Sequence, residues 1–255
     1  MIPEEAREAF RTWGYACLPR VVDDGLLDEL RAVHAALPAA RYLQQRYFWS
    51  ARHLSAEHDA FRRLGQEGAF PRIAAALLGV PRLRLLFDQI ILKPAGAAAT
   101  PWHQDQPSLC IDPFRICTFW IPLRDVVPEE GAIHFAHHSQ RTELPVHGLG
   151  LDPEAGDNGD ALVEAGYRQQ VPRAHAAGSC TVHDGWAVHG AGANRSRTDR
   201  PAINLVYYDG DARVTESERD WRRARDRFFP GREAGELADT CPLVFDGAGM
   251  PGGEP

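Results

Sequence analysis

The sequence predicts a mainly β chain, an antiparallel sandwich or jelly roll preceded by helices. Three observations carry this. After Pro81, short apolar runs (LRLLFDQIIL, RICTFWIPL, AIHFA, SCTVHD and AINLVYY) recur between clusters of Gly, Pro, Asp and Asn. No helical pattern intervenes between them, as an alternating α/β sheet would require. The first 80 residues, by contrast, show three-to-four spacing of apolar side chains.

In chain order, PEEAREAFRT from Pro3 to Thr12 carries Pro and acids at a helix start and Gly14 just past its end. Asp23 or Asp24 caps a second helix in which Leu26, Leu27, Leu30, Val33, His34 and Leu37 repeat before Pro38. Residues 56–66 and 71–78 read as two more helices, the latter stopped by Gly79 and Pro81. Between them Tyr42, Tyr47, Phe48 and Trp49 lie in a polar linker, where they either line a substrate mouth or cap the sheet. Residues 146–166, rich in Gly, Asp and Pro, read as a long excursion of the kind that forms a lid or pocket edge. SERDWRRARDRFF from Ser217 to Phe229 reads as an exposed amphipathic helix, and the Gly- and Pro-rich tail 247–255 as flexible. The expected organisation is one domain over 1–246, with a helical region over residues 1–80, a β core over 81–210 and a C-terminal helix within 215–229.

Composition narrows the function. The 255 residues carry a formal net charge of -7 and a hydrophobic fraction of 44%. That balance, without a long basic run, argues against nucleic acid and anionic membranes as partners. No stretch approaches a membrane span, and the polar, acidic start is unlike a signal peptide, so a cytoplasmic protein is expected. Five widely spaced cysteines without a C-x-x-C pair read as reduced, mostly buried thiols. Lys93 is the only lysine.

The chemistry centres on Thr100-Pro101-Trp102-His103-Gln104-Asp105. On a strand, His103 and Asp105 share a face and can grip one metal, while Gln104 points away and reads as structural. An H-x-D pair is expected about once by chance in such a chain, so its context decides. That context is His189, in GWAVHGAGANRS, followed by Arg200 at the head of an apolar run. Two imidazoles and one carboxylate on one face of a metal leave open positions, the arrangement of non-heme Fe(II) oxygenases. Arg200 offers a fork that matches the far carboxylate of a dicarboxylic acid. The other histidines read as exposed or hydrogen-bonded without a ligand role. His183, six residues before His189, reads as a strand-end residue before a group behind the site. Arg195 and Arg197 read as surface charges.

Three segments, DQIILKPAGAAATPWHQD, FRICTFWIPLRDVVPEEGAIHFAHHSQR and GSCTVHDGWAVHGAGANRSRTDRPAINLVYYD, resemble in order and spacing the phytanoyl-CoA dioxygenase (PhyH-like) family of Fe(II)/2-oxoglutarate-dependent oxygenases. The resemblance covers roughly residues 80 to 210. It implies a double-stranded β-helix, a cupin-like jelly roll with N-terminal and peripheral α-helices. It implies His103, Asp105 and His189 as iron ligands, Arg200 as the partner of the 2-oxoglutarate distal carboxylate, and Gln89, Thr100 and Trp120 as cosubstrate-lining residues. Fe(II) would be the cofactor, with 2-oxoglutarate and O2 as cosubstrates. Two departures are visible: His138-Ser139-Gln140 replaces a usual Gly-Ser-His run, and Ala191 stands where a Ser is often found. The carboxylate of Asp105 argues against halogenation, for which relatives carry a small residue at that place.

The resemblance implies oxidation of an unactivated C–H bond of a small organic metabolite, hydroxylation first, as 2-oxoglutarate is decarboxylated to succinate, with natural-product tailoring as the expected setting. Epimerisation, desaturation or cyclisation by the same iron chemistry is the alternative outcome. A non-catalytic jelly-roll module binding a metal or small acid is the alternative of another class.

Overall fold

The helical N-terminus forms as the caps dictate. Helix α1 (Glu4–Trp13) ends on Gly14, whose φ of 83° lets its N–H reach Phe10 O. Helix α2 (Asp24–Ala36) begins where the Asp23 carboxylate accepts from Leu26 N at 2.9 Å. The computed structural model describes residues 2–105, 109–142, 159–216 and 221–247. The single helix expected over 56–66 is instead three pieces: a 3-10 turn (Leu54–Ala56), α3 (Asp59–Arg62) and a π turn (Arg63–Glu67). Side chains from the sheet intervene here. Asp88 accepts from Ser55 N and Oγ, and Tyr207 Oη donates to Gly65 O at 2.8 Å. Helix α4 (Ala69–Leu78) closes on Gly79.

Thirteen antiparallel strands are described: β1 (Tyr15–Leu18), β2 (Leu43–Gln44), β3 (Trp49–Arg52), β4 (Arg82–Lys93), β5 (Thr100–His103), β6 (Ile111–Asp112), β7 (Ile116–Pro122), β8 (Ile133–Phe135), β9 (Cys180–Asp184), β10 (His189–Ala191), β11 (Arg200–Asp209), β12 (Arg213–Val214) and β13 (Leu243–Asp246). The large sheet runs β1-β9-β7-β11-β4-β3-β2, with β13 also paired to β4; a small sheet runs β5-β10-β8, and β12 pairs β6. This is the jelly roll the sequence predicts, with long crossovers between neighbours.

Alternation along each strand sorts the two faces of the large sheet. Cys117, Phe119 and Ile121, Ile203, Leu205 and Tyr207, and Val182 meet Phe10, Leu30, Phe61 and Phe70 from the helices in the main core. The opposite face turns toward the small sheet, where Trp120 and Ala202 cluster with Tyr15, Ile133 and Phe135. A bulge in the β4–β11 register leaves Leu86 unpaired. It reverses the alternation of β4, so Leu83 and Leu85 face the helices while Gln89, Ile91 and Lys93 face the interior.

Several elements differ from the sequence reading. The aromatic linker is not a plain polar linker but the β2–β3 hairpin, and of the two places left open for its aromatics Tyr42 and Trp49 take the one against the sheet, on the helix-side core. The C-terminal helix α6 (Trp221–Phe228) is not simply exposed, since Phe229 directly after it is fully buried against Tyr208. Residues 217–220 of that expected helix, and 248–255 of the tail, lie outside the described residues. So do 146–158 of the expected lid loop, whose remainder contains α5 (Gly159–Glu164), pinned by buried Leu162 against Trp102 and Val188. Cys110, Cys117 and Cys180 are buried as expected, but Cys17 is exposed and Cys241 half-buried; all five are unpaired.

Candidate metal and cosubstrate site

The short strands β5 and β10 set the centre. His103 ends one, His189 begins the other, and the two are direct cross-strand partners with ring centroids 4.1 Å apart. Asp105 follows two residues later. One ligand atom from each of His103, Asp105 and His189 lies within 4.8 Å of the others. Asp105 Oδ1 is 3.9 Å from both His103 Nε2 and His189 Nε2.

The backbone chooses the tautomers. His103 Nδ1 donates to Pro101 O at 2.9 Å and His189 Nδ1 donates to Ala187 O at 3.0 Å, leaving both Nε2 lone pairs for a metal. Burial lowers both imidazoles below the ordinary histidine value, His189 well below it, which favours the neutral form that ligates, while the Asp105 carboxylate pulls each the other way. Burial alone would raise Asp105, yet the surrounding imidazoles, His189 foremost, hold its carboxyl below the usual range. Its second oxygen is occupied: Oδ2 accepts from Thr118 Oγ1 at 2.9 Å and lies 3.3 Å from His183 Nε2. His183 is therefore no plain strand-end residue. It is 1% exposed, directly behind the carboxylate.

Arg200 opens β11, is 2% exposed, and leaves its Nε and Nη1 without a hydrogen-bond partner. Its guanidinium lies over the Trp120 ring at 5.3 Å. Burial, with Arg124 nearby, pushes its pKa down to about 9, against the pull of Glu130. A buried guanidinium without an anion is costly, and these orphaned donors suit a carboxylate. Unpartnered Thr181 Oγ1 and His175 Nε2 border the same ring: Thr181 is the cross-strand neighbour of Trp120, and His175 stands edge-on to it at 5.2 Å. Trp120 and Thr118 sit two apart on one face of β7, about 7 Å of strand rise. Arg200 and Asp105 are thus brought to one interior wall.

The remaining predicted residues are placed as follows. Gln89 faces the same interior, cross-strand from Asn204, with its Oε1 accepting from Arg52 Nε at 2.9 Å. Thr100 Oγ1 accepts from Lys93 Nζ at 3.1 Å. Gln104 is buried and donates to Trp186 O at 2.8 Å, the structural role expected of it. Arg195 and Arg197 are exposed. Ala191 pairs with Thr100, and in the altered turn Ser139 Oγ donates to Ala136 O and accepts from Val188 N, both at 2.8 Å, fixing the strand that carries His189. The sequence pattern assigns no role in the site to Thr118, Ser139 or Lys93. Thr118 carried a signal, since it sits one period-two step from Trp120; Ser139 and Lys93 take their roles partly from Val188 and Tyr47, 49 and 46 residues away.

The donor set suits Fe(II), and the orphaned guanidinium suits the far carboxylate of 2-oxoglutarate. The comparisons with known proteins agree. No curated protein matches the chain. The non-heme alpha ketoglutarate dependent carbocyclase SnoK from nogalamycin biosynthesis is similar at 24% identity over 95% of this chain and 96% of its own, with a TM-score of 0.77. The epimerase SnoN, in complex with Fe3+, alpha ketoglutarate and nogalamycin RO, is similar at 26% identity over 96% of both chains, with a TM-score of 0.73. EctD from S. alaskensis, with 2-oxoglutarate and 5-hydroxyectoine, shares the fold at 20% identity over 93% of this chain and 87% of its own, with a TM-score of 0.71. The family model for phytanoyl-CoA dioxygenase (PhyH) matches residues 10–202. With the triad and its buried arginine in place, the chain belongs to the phytanoyl-CoA dioxygenase (PhyH) family of Fe(II)/2-oxoglutarate-dependent non-heme oxygenases.

Proposed function

We propose that His103, Asp105 and His189 hold Fe(II), that Arg200 binds the distal carboxylate of 2-oxoglutarate over Trp120, and that the enzyme oxidises an unactivated C–H bond of a small organic metabolite in natural-product tailoring. The observation that carries this reading is the buried Arg200 with two unpartnered donors on the wall that also holds Asp105. Bound iron with 2-oxoglutarate and O2 supplies the oxidising power, with succinate as the spent cosubstrate.

The chain's own residues do the rest. Pro101 O and Ala187 O fix the imidazoles, and Thr118 and His183 tie one Asp105 oxygen so that the other points to the metal. Trp120, Thr181 and His175 enclose the carboxylate end and keep water from it. Of the other cosubstrate-lining candidates, Gln89 faces this interior and Thr100 borders it through Lys93. The five unpaired thiols fit a reducing cytoplasmic setting.

A second outcome is epimerisation, cyclisation or desaturation, of which epimerisation is supported by the similarity to the epimerase SnoN over 96% of both chains. The intact triad together with the orphaned arginine, and the match to an oxygenase family, argue against a binding module without turnover. The test is succinate release across a panel of polyketide and amino-acid-derived metabolites, with mass analysis of each product. Stoichiometric succinate with a product one oxygen heavier supports hydroxylation. Stoichiometric succinate with an isobaric product, or one two hydrogens lighter, supports the second outcome. No succinate above the metal-free control refutes both.

A further inference from the structure

On the interior face of the large sheet, one register line runs Thr181, Trp120, Asn204, Gln89, Arg52 across β9, β7, β11, β4 and β3. Its far end is cationic. Arg52 is half-buried, gives only its Nε to Gln89, and holds its guanidinium over the Phe87 ring at 4.7 Å. Phe87 stacks on Phe228 of α6 at 6.2 Å, and Arg227 lies over Phe228 at 5.1 Å. Two arginines thus flank a pair of phenylalanines, and among the described residues neither meets a carboxylate of the chain at ion-pair distance. Burial, then the like charge of Arg227, push Arg52 down to about 10, while the Asp105 carboxylate acts in the other direction. Arg52 is therefore within electrostatic reach of both α6 and the iron site.

Like charges brought together around one aromatic pair, with most of their N–H donors unspent among the described residues, are an arrangement that an anion completes. The carboxylate of the cosubstrate is already provided for by Arg200, at the other end of the interior. We propose that Arg52 and Arg227 form a subsite for the primary substrate, which is an organic molecule carrying an oxyanion (a carboxylate or an ionised phenol) that these two guanidiniums hold while the C–H bond to be oxidised faces the metal. Phe87 and Phe228 fix the two forks and exclude water between them. This inference rests on the iron and 2-oxoglutarate reading of the site. It names the substrate's charge class and makes α6, docked through Phe228 and Phe229, one wall of the substrate site.

The experiment uses the full-length protein loaded anaerobically with Fe(II) and 2-oxoglutarate, whose visible charge-transfer band reports the assembled chelate. Binding of 2-naphthoate is compared with that of its neutral counterpart 2-naphthamide through the change in that band. The proposal expects the acid to bind about tenfold or more tightly than the amide, with Arg52→Gln and Arg227→Gln each removing most of that preference, as loss of a charge-assisted contact should. Equal or undetectable binding of the two probes by a protein that shows the band overturns the proposal alone. A protein that forms no band overturns it together with the reading beneath it. If Arg52→Gln instead raises the 2-oxoglutarate half-saturation about tenfold or more, and Arg227→Gln leaves the preference for the acid intact, the guanidinium serves the cosubstrate and the subsite proposal falls.

Discussion

Arg200 shows how a single residue encodes a ligand by what it lacks. It is buried, it is cationic, and two of its donors have no partner. Replacing it with glutamine should raise the 2-oxoglutarate half-saturation about a hundredfold, the worth of a bidentate charge-assisted contact, and leave metal affinity without cosubstrate nearly unchanged. An equilibrium titration of each ligand checks both halves. Thr118 makes a subtler contribution, because it holds the Asp105 oxygen that does not face the metal. Thr118→Val should weaken Fe(II) binding about tenfold, as loss of an outer partner of a metal ligand does, with little change in 2-oxoglutarate affinity for the iron-loaded protein. Among single residues the sequence was legible where spacing is short: His103 and Asp105, two apart, reach one centre, although β5 ends at His103 and Asp105 lies in the bend beyond it, not on the strand face expected. Thr118 and His183 were not, because the contacts that define them span 13 and 78 residues.

Among the elements, β4 does more than carry Gln89. Its last residue, Lys93, is fully buried and donates to Ala98 O at 2.7 Å, Thr100 Oγ1 at 3.1 Å and Tyr47 O at 3.3 Å, tying β5 and the β2–β3 turn to the large sheet. Burial, with Arg200 across the register, pushes its pKa from 10.5 down to about 7. Between those values the unfolded chain binds a proton that the folded chain does not, so this group makes stability rise with pH above about 7. In denaturant unfolding from pH 7 to 9, the parent should gain on Lys93→Met by up to about 1.4 kcal/mol per pH unit. Parallel pH curves for the two proteins would contradict this assignment. Gly131 packs on the same lysine: its φ is 76°, and an added Cβ would lie 2.6 Å from Lys93 Cδ and 2.7 Å from Gly192 O. Gly131→Ala should therefore cost about 1–3 kcal/mol in the same unfolding assay. The long strands β4, β7, β9 and β11 were readable as apolar runs, and α1, α2 and α4 from their caps. The short strands β1 and β2 were not, since two to four residues carry no period of their own and take their state from the neighbours they pair with.

Across the whole molecule, the large sheet separates two tasks. One face gives Phe119, Leu205 and Tyr207 to the helices and stabilises the fold; the other gives Thr118, Trp120 and Arg200 to the site. The fold class was legible because many short apolar runs between turn residues leave few architectures open. The broken helix after Leu54 was not, because side chains from β4 and β11 bond to its backbone. Whether this interior assembles one Fe(II)/2-oxoglutarate centre is decided by anaerobic titration of the metal-free protein with both ligands, watching for the visible charge-transfer band of the chelate. A band is expected in the parent, none in His189→Ala, and a weakened one in Arg200→Ala. No band in folded parent protein, or an undiminished band in His189→Ala, would mean that no such centre forms there.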